Sequence, residues 1–144
     1  MNRLYGYVNV SKDHAPESMA ATPAYIVARK RALRGGPVSL SADTFDQYVG
    51  ASNLPVVIEF WARWCSLSKA MAPHFATGAR NLAGRAMFAK VEKDEEASLA
   101  ARYGIECVPT LIVLRNGQEI ERHCGAMTAR QLALWLAPHL RKTT

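Results

Sequence analysis

The sequence predicts an α/β fold, a mixed central sheet with helices on both faces and an N-terminal extension. Three observations carry this. Strand-like and helix-like stretches alternate from Pro37 onward, which demands crossover connections between parallel strands. "VVIEFW" is apolar almost throughout, as suits a strand covered on both faces. Asn116-Gly117 lies between two strand-like runs and signals a hairpin, so antiparallel strands close the chain.

Taken in order, residues 1–36 come first as an uneven, basic extension ending at Gly35-Gly36-Pro37. Within it "AYIVARKRAL" reads as a strand or a short helix, and "MNRLYGYVNV" alternates weakly like a strand. "PVSL" is a short strand. Ser41 caps the helix "ADTFDQYVGA", whose Asp43 favours the helix dipole. The strand "VVIEFW" follows, then a helix from about Cys65 to Leu82 interrupted by Pro73, then the strand "AMFAKVE". "DEEASLAARYG" is a helix with Asp94 as its cap and Gly104 as its stop. The hairpin "PTLIVLRNGQEIERHCG" leads to a last helix opened by a capping box of Thr128 and Gln131, with Leu132, Trp135, Leu136 and Leu140 on one face.

The bulk numbers exclude several classes. At 144 residues, 49% of them hydrophobic, the chain can bury a real core, and no run approaches the ~18 apolar residues of a membrane helix. The first residues lack the apolar core and cleavage site of a secretory signal, so the expected location is cytoplasmic. The net charge of +6 is uneven, with residues 1–36 holding +4 of it, largely in Arg29, Lys30, Arg31 and Arg34. Four charges without interleaved aromatics read as a solvated segment rather than a nucleic-acid surface. Three cysteines (65, 107 and 124) argue for free thiols over a disulfide framework, and their spacing with the histidines fits no metal site.

Cys65 stands where a helix begins after a buried strand. Unpaired N–H groups and the helix dipole stabilise a thiolate there, and Lys69 and Arg63 add positive charge. The competing reading is a small buried hydrophobe, the role of most free cysteines.

The segments "VVIEFWARWCSLSKAMAPHF", "YGIECVPTLIVLRNGQEI" and "CGAMTARQLALWL" together resemble thioredoxin, over residues from about Pro37 to Leu140. The resemblance implies a thioredoxin domain at 37–144 and a thiol-disulfide oxidoreductase acting on protein disulfides. Cys65 then resembles the attacking thiol, with Trp64 beside it. Val108-Pro109-Thr110 resembles the cis-proline loop that pairs with a bound peptide, while Gly125 and Trp61 line or support the same groove. Pro73 resembles the proline that kinks the helix without ending it. Glu59 lies at the family's buried carboxylate and Lys90 at its partner. There the carboxyl either relays protons with a raised pKa or forms a pair that satisfies itself. The layout is also similar to a bacterial class with an N-terminal zinc ribbon, but residues 1–36 hold no cysteine, so a ribbon here is degenerate and binds no zinc.

Ser68 departs from the family. It occupies the place of the second cysteine that resolves the mixed disulfide. A hydroxyl there can hydrogen-bond the sulfur but cannot make the second attack. Two readings stay open: a native single-thiol protein, or a Cys→Ser form of a two-thiol one. Cys107, two residues before Pro109, is a candidate accessory thiol, resolving Cys65 or linking two molecules, whereas Cys124 is expected to be partly packed. No metal or organic cofactor is implied. The partners implied are cysteine-containing proteins, with a thioredoxin reductase or glutathione as electron source. The alternative is a redox-inactive, chaperone-like module that binds clients in the same groove.

Overall fold

A computed structural model describes residues 23–140. Its centre is β2, Val56–Trp61, which is buried along nearly all its length as its composition requires. β3, Met87–Glu92, runs parallel to β2 with Glu59 beside Lys90 in the register, and β1, Val38–Ser39, lies parallel to β3. On the other side β4, Thr110–Arg115, is antiparallel to β2, and β5, Gln118–Cys124, is antiparallel to β4. The sheet order is β1-β3-β2-β4-β5, the mixed sheet expected from crossovers followed by a hairpin. Asn116 and Gly117 both take positive φ, 52° and 80°, the pair a two-residue hairpin turn needs.

Alternation along the strands divides the core into two layers. Val56, Ile58 and Phe60 face one layer, with Phe45, Tyr48 and Val49 of α2 (Ala42–Gly50) and Leu99 and Ala100 of α4 (Ala97–Arg102). Val57, Phe88, Leu111 and Val113 face the other, with Met71 and Phe75 of α3 (Ser66–Asn81) and Leu132 and Leu136 of α5 (Ala129–Leu140). α3 and α5 approach closely at Gly78, where an added Cβ would stand 2.8 Å from a methyl of Leu132. Pro73 lies inside α3, which continues through it.

The helix ends follow the sequence signals in two cases and depart in one. Ser41 donates its N–H to the Thr44 hydroxyl at 3.1 Å, and Thr128 and Gln131 exchange bonds of 2.9 and 3.1 Å as a capping box. α4, however, begins three residues after Asp94, and Glu96 stands before it. The Glu92 carboxylate takes the N–H groups of Asp94 and Glu95 at 2.8 and 2.7 Å, which holds those residues in a turn.

Within the extension, residues 23–33 form a helix, α1 (Pro23–Leu33), rather than a strand. Tyr25 and Ala28 are buried in the first core layer, which fixes the helix against α2 and β1. The strand expectation for "MNRLYGYVNV" lies outside the described residues, as does the part of the ribbon expectation for residues 1–36 that falls on 1–22.

A second correction concerns the cysteines. Cys107 and Cys124 form a disulfide, with Cα atoms 6.2 Å apart and a sequence separation of 17, so they are not free thiols. Cys107 cannot resolve Cys65 while that bond stands. Cys124 is exposed rather than partly packed. Antiparallel pairing places Cys124 opposite Thr110, beside the loop that carries Cys107, and proximity decided what composition could not.

Candidate active site

β2 delivers the chain to the head of α3, and the turn between them carries Arg63, Trp64 and Cys65. Cys65 is the residue immediately before the helix, with extended backbone (φ −93°, ψ 118°), so it stands at the end where the first N–H groups have no partner within the helix. Its thiol is half-buried and is held below the ordinary thiol range. The Ser68 backbone N–H contributes most, then the Ser68 hydroxyl; burial opposes them and the Leu67 N–H adds to them. The sulfur also lies 3.6 Å from the Val108 carbonyl oxygen.

Ser68 is 2% exposed. Its oxygen accepts the Ala62 N–H at 3.3 Å while its proton serves the Cys65 sulfur, so one hydroxyl links the end of β2 to the thiol. It donates to sulfur and offers no second one.

The loop opposite is the stretch before β4. The Val108–Pro109 peptide is cis, the Pro109 carbonyl accepts the Gly125 N–H at 2.8 Å, and the Thr110 hydroxyl donates to the Cys107 carbonyl. Gly125 adopts φ +117°, a conformation that favours glycine, which lets β5 end against this loop. Pro109 and Thr110 are buried and Val108 is half-buried. Trp64 and Leu67 stand out from the surface beside Cys65, 67% and 55% exposed, an unusual exposure for such side chains.

Beneath this surface Glu59 is wholly buried, and neither carboxyl oxygen has a hydrogen-bond partner. Burial pushes its pKa up to about 7, against the opposing pull of Lys90. The Lys90 ammonium sits 4.7 Å from the centre of the Trp61 ring. The Glu59–Lys90 pair is therefore adjacent in register without a hydrogen bond to the Glu59 oxygens.

Three residues that the sequence reading did not assign to the site hold it together. Glu92, on β3, accepts the Arg63 N–H at 2.9 Å as well as those of Asp94 and Glu95, tying the turn before Cys65 to the turn before α4. Burial raises its pKa, but the N–H groups of Glu95, Arg63 and Asp94 outweigh that and hold it below the carboxylate range. Asp94 accepts the Trp64 indole N–H at 2.8 Å. Cys124 is the third, through its bond to Cys107. The acidic residues of 92–96 were the signal for the first two, and they read instead as a strand end at Glu92 and a helix start at Asp94.

The chain is similar to known proteins in sequence and fold. The family model "Thioredoxin" matches residues 36–138. Thioredoxin C-3 of Corynebacterium nephridii is 32% identical over 133 residues, covering 92% of this chain and 91% of that protein. Thioredoxin 1 of Synechococcus elongatus is 37% identical over 97 residues, 67% of this chain and 91% of its own length. The crystal structure of Malassezia sympodialis thioredoxin (Mala s 13) superposes with a TM-score of 0.67 at 34% identity, covering 75% of this chain and 94% of that one.

Proposed function

The chain belongs to the thioredoxin family, and on that premise we propose that it carries out thiol-disulfide exchange with protein substrates through the single thiol of Cys65. The family at large acts on protein disulfides. In this chain the Cys65 thiolate attacks one sulfur of a client disulfide, the client's S–S bond breaks, and its second sulfur leaves as a thiolate that takes up a proton. The product is a mixed disulfide between Cys65 and the client. Ser68 cannot attack it, so it persists until an outside thiol such as glutathione displaces Cys65. A client segment would lie extended along Val108-Pro109-Thr110, with Trp64 and Gly125 at the sides of the groove. Glu59, with Lys90 beside it, would exchange protons near neutral pH.

The carrying observation is the pairing of a half-buried thiol at the head of α3, its thiolate favoured by two Ser68 donors, with a buried serine in the resolving position. In this reading residues 37–144 are the thioredoxin domain, residues 1–36 its extension, and the setting a reducing cytoplasm.

A mixed-disulfide trap tests the reading. Full-length protein is offered a disulfide-bonded client such as insulin, and non-reducing electrophoresis follows the adduct. A lasting adduct that vanishes in Cys65→Ala and turns over in Ser68→Cys is expected. A second reading, a client-binding module without redox work, draws on the exposed Trp64 and Leu67. Client binding undiminished in Cys65→Ala, with no adduct in the parent protein, would favour that module.

A further inference from the structure

The disulfide between Cys107 and Cys124 joins the loop before Pro109 to the end of β5, at the rim of the groove in which the proposed function seats a client. Cys107 enters the loop that ends at Pro109, and Cys124 ends β5 just before Gly125. The same residues are already joined without it. Thr110 and Cys124 are partners in the β4–β5 register, Gly125 N–H donates to the Pro109 carbonyl at 2.8 Å, and the Thr110 hydroxyl donates to the Cys107 carbonyl. The hairpin therefore keeps the two cysteines adjacent whether or not their sulfurs are bonded. Nor is the bond sealed in the core, since Cys107 is half-buried and Cys124 exposed. Accessible disulfides are the labile ones, because a thiolate must approach a sulfur to attack it. A bond that is reachable, and whose two halves stay aligned when it opens, is suited to reversible exchange.

We propose that Cys107 and Cys124 form a second thiol-disulfide centre in this chain, a two-electron couple on the groove's rim that is reduced by dithiols independently of Cys65. One thiolate of the dithiol attacks the sulfur of Cys124, the more exposed residue of the two. The Cys107–Cys124 bond breaks, and Cys107 leaves as a thiolate and takes up a proton. The dithiol's second sulfur then attacks its first, closing its own disulfide and releasing Cys124 as a thiol. Two electrons and two protons pass from the dithiol to the pair. A disulfide-bearing partner reverses the sequence and re-forms the bond. The couple thus holds two thiols in one molecule, which the Cys65–Ser68 site does not.

The test uses the full chain with Cys65→Ser, so that its outcome is independent of the role given to Cys65. The protein is equilibrated at pH 7 across a series of reduced-to-oxidised dithiothreitol ratios, quenched in acid and alkylated with a maleimide. Adducts are counted by mass and mapped to peptides, with far-ultraviolet circular dichroism recorded on parallel samples. The expected result is a single transition from no adducts to two, on Cys107 and Cys124 together, with the circular dichroism unchanged, reversed by restoring the oxidised reagent. Three results would overturn the proposal: a bond reduced only after denaturant is added, thiols free at every ratio, or reduction that unfolds the chain. Should Cys65→Ser fold poorly, the parent protein with Cys65 blocked by iodoacetamide beforehand gives the same readout.

Discussion

Replacing Glu59 by glutamine isolates the cost of a carboxylate in the apolar strand. In the folded chain this group titrates at about 7, against 4.5 for an ordinary glutamate, with burial the main cause. The native state therefore binds the proton more tightly than the unfolded state, and stability must fall as pH rises. The contribution is present in full below 4.5, is lost progressively above it, and is gone beyond about 7. Moving the group from 4.5 to about 7 corresponds to roughly 3 kcal/mol, of which ~2–3 kcal/mol is expressed between pH 5 and pH 8. Glutamine is of similar size and equally without partners in that site, but it carries no proton equilibrium. Urea unfolding followed by tryptophan fluorescence at pH 5, 6, 7 and 8 should show the parent protein losing that amount relative to Glu59→Gln. The variant should be the more stable of the two at pH 8 and close to the parent at pH 5. Parallel stability curves for the two proteins across this range would refute the reasoning.

Ser68→Ala removes the hydroxyl from Cys65 but leaves the backbone N–H. The pH at which iodoacetamide labels Cys65 at half its maximal rate should move upward, though by less than loss of both donors would give. Glu92→Ala strands three N–H groups, those of Arg63, Asp94 and Glu95, and should cost ~2–3 kcal/mol in urea unfolding, with Glu92→Gln recovering part of it. Because the Glu92 pKa is depressed, its contribution is present above the ordinary carboxylate range, so the gap between parent and alanine variant should narrow in acid. Phe75 is fully buried and meets Phe88 edge-on at 5.2 Å between ring centres, so Phe75→Ala should cost ~3–5 kcal/mol, read as a lower thermal midpoint.

The fold was legible wherever the signal was local. The apolar run of β2, the Asn116-Gly117 turn, and the capping pairs at Ser41 and Thr128 each act within a few residues, and each element formed as the sequence implied. The closeness of Cys65 and Ser68 was likewise readable, since residues three apart at a helix start share a face. What escaped was set by contacts between distant segments. α1 could be read as strand or helix because its helical state is decided by the burial of Tyr25 and Ala28 against the core, not by its own periodicity. Asp94 looked like a helix cap, but Glu92, two residues earlier, holds the Asp94 and Glu95 N–H groups in a turn and Trp64 claims the Asp94 carboxylate. The pairing of Cys107 with Cys124 depends on the register of β5, which slips by one residue between Val113 and Leu114 of its partner strand. Such a slip reverses which face each later side chain occupies, and nothing in the local sequence announces it.

That slip has a consequence for how copies of the molecule meet. Among the described residues β5 is the margin of the sheet, and the extra residue there is Ile120, since Glu119 pairs with Leu114 and Glu121 with Val113. Open margins invite strands from other chains and so seed aggregation. Here the ladder is kinked midway and flanked by Glu119, Glu121 and Arg122, while the opposite margin, β1, is only two residues long. Neither border offers a straight run on which identical chains could polymerise. The molecule thereby avoids becoming the template for its own fibres.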